Sequence, residues 1–130
     1  MLLPPAVIVH GLPEARAALR SGRPVTLLSA RGAALHAGCL WWRELIAAAR
    51  AAHPATPAHD VLDCADAPGA AMAALRAGQL LLVLDAACPG FTAVRGAAAT
   101  LGAHVLPAAP PALDLADPAA RFHLASWLVG

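Results

Sequence analysis

The chain has no lysine, no tyrosine and no asparagine. Its nine basic residues are all arginine, and they are scattered against eight acidic residues, for a formal net charge of +1. The lack of a basic run or stripe argues against electrostatic binding to nucleic acid. Charged residues make up only 13 % of the chain, about half the usual fraction near 25 %. Cysteine is scarce too. Cys39, Cys64 and Cys88 are odd in number and far apart, with no Cys-x-x-Cys, so a disulfide scaffold is excluded and reduced, cytoplasmic thiols are expected. The start, MLLPPAVIVHG, has no positive segment, and Pro4 and Pro5 interrupt its apolar run; it does not read as a secretory signal. The longest uncharged stretch, 96–113, contains His104, Pro107, Pro110 and Pro111, which makes it a poor membrane span.

What the chain has is alanine and apolar residues, 59 % of 130. Arginine in place of lysine and abundant alanine fit a GC-rich coding genome. A chain this long buries roughly two-thirds of its unfolded surface and needs no metal or disulfide staple. One α/β domain spanning 1–130 is expected.

Short apolar runs alternate with alanine-rich helical patterns. Strands are predicted at 6–9, 24–28, 60–64, 80–84 and 103–106. Between them lie EARAALR, a long helix over 33–52, AAMAALRAG, and a helix running from Pro89-Gly90 to Gly102. In the long helix Leu35, Cys39, Trp42 and Ile46 share the face toward the sheet, with Trp41 at its edge. The Pro-rich segment 107–118 reads as irregular, and Asp117 then caps a last helix over 118–128. This alternation predicts a three-layer, doubly wound domain: five mostly parallel strands in the flavodoxin-like order 2-1-3-4-5, with helices on both faces. A half-barrel of βα units is the rival.

In such sheets ligands bind beyond the strand carboxyl ends, where the strand order reverses. That rule selects His10, Ser29, Arg31, Asp63, Cys64, Asp66, Asp85 and Cys88. Asp63 and Asp85 would end neighbouring strands, close enough to share a proton or hold a cation. His10 would complete the set as general base. These three are the catalytic candidates; the competing expectation is that each aspartate accepts backbone N–H groups in its own turn. Ser29, Arg31, Asp66 and Cys88 are candidate ligand contacts. Arg31-Gly32 opens the long helix, where N–H groups and a guanidinium suit an anion, although SARGAALHAG lacks both the Walker lysine and G-x-G-x-x-G. Cys64 and Cys88 raise a thiol role, with Cys88 nearer a helix start. No histidine pair has i, i+4 metal spacing, and no metal or particular cofactor is expected.

The segments VLDCADAPG (61–69) and VLDAACPG (83–90) echo each other, as two βα units meeting the same local demands. VLDAACPGF also resembles the segment around the phosphorylated aspartate of response-regulator receiver domains, with Asp85 as the acceptor. The resemblance covers about eight residues. The first strand ends in His10-Gly11 rather than an acidic pair, and the chain has no lysine, so it implies shape without phosphotransfer.

Trp41, Trp42, Phe122 and Trp127 form two apolar clusters on a surface short of charge, which points to a subunit contact. The first expectation is therefore a homodimeric, non-catalytic or partner-binding module. The second is a small-molecule or metal-dependent enzyme, or a ligand binder, using His10, Asp63 and Asp85.

Overall fold

A computed structural model describes residues 2–130. Its elements are β1 (Ala6–Ile8), α1 (Leu12–Leu19), β2 (Val25–Leu28), α2 (Ala33–His36), α3 (Cys39–Ala52), β3 (Ala58–Asp63), α4 (Pro68–Arg76), β4 (Leu81–Val83), α5 (Phe91–Thr100), β5 (His104–Leu106), β6 (Ala112–Asp114) and α6 (Ala120–Val129). The strands form one parallel sheet in the order β5-β4-β3-β2-β1-β6. The α/β class is as expected, whereas the order 2-1-3-4-5 is not what forms. From β1 to β5 every crossover advances one strand in the same direction. Strand–helix alternation dictates parallel neighbours, because parallel strands need a crossover. It does not dictate the direction of each step. With no reversal between β1 and β3, the switch-point rule selects no crevice there.

The chain forms two compact units. The first comprises residues 1–30, 44–60 and 110–130. Here β1 pairs with β2 on one side (Val7 opposite Leu27) and with β6 on the other (Val7 opposite Leu113). All four residues of β2 are buried, as in a strand covered on both faces. α1 packs on β2, and α6 on β6. The Trp127 indole N–H donates to the Ala6 carbonyl at 2.7 Å, so this ring fastens α6 to the sheet.

The second unit comprises 31–43 and 61–109. β4 pairs with β3 (Leu62 opposite Leu82) and with β5 (Leu82 opposite Val105). α5 packs on β5 and on α4. Val61, Leu62, Leu82, Leu84 and Val94 are buried.

Two further expectations are corrected. The helix expected over 33–52 breaks at Gly38, whose φ of +92° lies in the left-handed region. Its N–H donates back to the Ala33 carbonyl at 3.1 Å, closing α2 as glycine ends a helix. The break detaches Leu35 from the predicted face and leaves it exposed, while Trp42 and Ile46 are buried. The segment 107–118 is irregular only in part, because Ala112–Asp114 adds to the sheet as β6. No helix among the described residues is long and apolar enough to cross a membrane.

Candidate functional site

The structure pairs His10 with a residue outside the predicted set. His10 follows β1 and Asp114 ends β6, and these strands are neighbours in register. His10 Nε2 lies 2.8 Å from Asp114 Oδ1, with the side chains 37 % and 46 % exposed. A carboxylate only accepts, so Nε2 carries the hydrogen and Nδ1 presents its lone pair when the ring is neutral. Both ends of the pair are held. The His10 backbone N–H donates to Glu14 Oε1 at 2.7 Å, the reach-back of an acidic residue in the first helical turn. Asp114 Oδ1 also accepts the Ala116 N–H at 2.9 Å.

Burial works against the Asp114 charge, but the Ala116 N–H and His10 outweigh it, and the carboxyl titrates below its ordinary value. A lowered carboxyl pKa stabilises the fold above the ordinary carboxylate range near pH 4 and loses that contribution as pH falls through the lowered value. The side chain is half exposed, so the contribution is below about 1 kcal/mol. Urea midpoints of wild type and Asp114→Asn should differ at pH 7 and converge toward pH 3. A gap that stays constant across that range contradicts the assignment.

Asp63 and Asp85 both accept backbone N–H groups just beyond their strands. Each serves its own turn. Asp63 Oδ1 accepts the Ala65 N–H at 2.8 Å and the Gly32 N–H at 3.1 Å. Asp85 Oδ1 accepts the Ala87 N–H at 2.9 Å. Asp114 does the same to Ala116, and Asp117 to Ala119 at 3.0 Å. Four Asp-x-Ala triplets therefore make the same Asx turn, and the internal echo records this shared demand. The signal was in the sequence, because DLA at 114–116 repeats the DCA and DAA triplets that end two other strands.

The Gly32 N–H, expected to help hold an anion beside Arg31, is taken by Asp63. Arg31 and Asp66 are exposed, and Ser29 is buried with Oγ donating to the Ala30 carbonyl at 3.1 Å. Among the described residues no three His, Cys, Asp or Glu come together as a metal site.

Cys64 is buried, and burial first, then Asp63 and Cys39, push its thiol up to about 12. It stays protonated at neutral pH and is a poor nucleophile. Cys39 and Cys88 are only half buried. Ellman's reagent at pH 8 should label both in the folded protein and leave Cys64 unlabelled until denaturant is added. Labelling of Cys64 at the rate of Cys88 would restore it as a reactive thiol.

Of the predicted contact residues, Trp42 is fully buried and Trp41 lies tilted beside it, with ring centroids 6.0 Å apart. Trp127 is half buried and tied to Ala6. Phe122 is 87 % exposed. No family model matches the chain, and no curated protein matches it as a relative.

Proposed function

We propose that this protein is a self-associating α/β module that works as a homodimer through the outer face of α6. One observation carries the reading: Phe122 and Val129, 87 % and 65 % exposed, stand on one stripe of that helix. Seven residues apart, they lie within about 20° around the axis. The opposite side of α6 is occupied by buried Ala120 and Leu128. Leaving a Phe and a Val in water forgoes roughly 1.5–3 kcal/mol each relative to full burial. A twofold contact would bring each stripe against its own copy.

Phe122→Glu and Val129→Glu test the reading by size-exclusion chromatography with light scattering. Wild type should elute as a dimer, and each variant should shift to monomer with its melting temperature changed by only a few degrees. A monomeric wild type at about 100 μM rejects it.

A second reading rests on the His10–Asp114 pair. An imidazole oriented by a carboxylate at the edge where parallel strands end is suited to general-base work on a small molecule. Asp63 and Asp85 support that reading only through the loops they hold. A molecule that remains on the freshly purified protein and is lost in His10→Ala favours it.

A further inference from the structure

A groove of about 420 Å³ runs between α1 and α6, lined by Leu12, Pro13, Ala17 and three arginines: Arg16, Arg20 and Arg121. An adjoining compartment of about 320 Å³ shares Arg20 and Arg121 and continues over Leu124, Ala125 and Leu128. No acidic residue is among the described residues that line either part. None of the three guanidiniums has a hydrogen-bond or ion-pair partner among the described residues.

The placement of these arginines is unfavourable for an empty surface. Arg16 and Arg20 stand four residues apart at the end of α1, and like charges at that spacing repel. Cations do favour a helix C-terminus. Here, however, two of the last carbonyls of α1 already have other partners. The Ala17 carbonyl accepts the Arg20 N–H, and the Leu19 carbonyl accepts the Gly22 N–H and, at 2.7 Å, the Thr56 hydroxyl. Nor does that explain the third charge, Arg121, brought to the groove by a different helix. Three guanidinium forks with no carboxylate between them match the oxygens of a doubly charged phosphate. The apolar compartment beside them, walled by Leu124 and Leu128, suits a hydrocarbon body attached to that head.

We infer that the α1–α6 groove binds a phosphomonoester carrying an apolar body, with Arg16, Arg20 and Arg121 on the phosphate and Leu124 and Leu128 along the body. This chemistry has two sources, a free amphiphilic phosphate or the headgroup of an anionic lipid. The site lies within one chain and does not depend on dimerisation.

The test measures binding of n-octyl phosphate, below its micelle concentration, by isothermal titration calorimetry, and binding of phosphatidic acid vesicles by co-sedimentation. Wild type is compared with Arg20→Gln, Arg121→Gln and the double variant, all at exposed positions whose folds are checked by circular dichroism. Octyl phosphate should bind at least about tenfold more tightly than octanol or inorganic phosphate, and the double variant should lose at least about tenfold. Binding to vesicles but not to octyl phosphate, lost in the double variant, assigns the same groove to a lipid headgroup. Binding of neither probe, or binding unchanged in the double variant, overturns the inference. Repeating the titration on Phe122→Glu separates the claims, because the groove should bind equally well in a monomeric chain.

Discussion

Replacing Trp42 by alanine should lower stability by about 3–5 kcal/mol, the range for removing a large aromatic side chain from a packed core. In a chain of this size that is a fall in melting temperature of about 11–18 °C. The ring is 0 % exposed, so its loss opens a cavity that α3 cannot collapse into without moving the helix. The indole N–H is also buried without a hydrogen-bond partner among the described residues, which offsets part of the gain from burial. Trp42→Phe removes that orphan donor while keeping most of the apolar ring, and it should lose less than half of what alanine loses. Chemical denaturation of the three proteins measures both. If Trp42→Ala kept its stability and lost only self-association, Trp42 would be a contact residue after all, as its position beside Trp41 suggested from sequence.

The second large effect is expected at Asp63. Alanine there should lower stability by about 2–4 kcal/mol, because the Gly32 and Ala65 N–H groups are left without their acceptor in a buried setting. Asp63 is 3 % exposed. Both of its bonded neighbours hold left-handed backbone, Gly32 at φ +71° and Ala65 at φ +51°. The second is strained for a residue with a Cβ. The Asp85 N–H adds a further restraint by donating to the Ala65 carbonyl at 2.8 Å. The Gly32 and Ala65 N–H groups both donate to Asp63 Oδ1, so Asp63→Asn, whose side chain keeps an oxygen acceptor, should recover the part of the loss that these two bonds account for. An unchanged melting temperature in Asp63→Ala would mean that this carboxylate is not the clamp of its turn, and would return it to the list of reactive groups.

Much of the fold was legible in the sequence. The five runs from Ala6–Val9 to Ala103–Leu106 became strands, because short apolar runs between glycines and prolines have few other solutions. What was not legible came from long-range geometry or from single backbone choices. The order of strands depends on the direction of each crossover, which no local pattern encodes. The break before α3 turns on one residue, Gly38, sitting inside a spacing that otherwise fits a continuous helix. β6 is three residues long and follows Pro110 and Pro111, so its apolar signal is too short to stand out.

The candidate site divides in the same way. The place of His10 after the first strand is legible from the apolar run that precedes it. Its partner Asp114 was missed because it lay in a segment read as irregular. The two aspartates that were chosen, Asp63 and Asp85, obey a local turn rule shared with Asp114 and Asp117. Asp114 also has a histidine in reach, and that pairing needed the β1–β6 contact to exist. The aromatic residues followed burial rather than surface: Trp42 and Trp127 became anchors, and Phe122 alone stayed in solvent.

The proposed dimer joins two copies of this chain through α6. A native mass spectrum of the freshly purified, tag-free protein tests it most directly, because it reports subunit number and any retained small molecule together. The expected spectrum shows a species of two 13.1 kDa chains that persists on dilution to low micromolar concentration and is absent in Phe122→Glu. A single 13.1 kDa chain at every concentration, or a dimer that Phe122→Glu leaves intact, would contradict it.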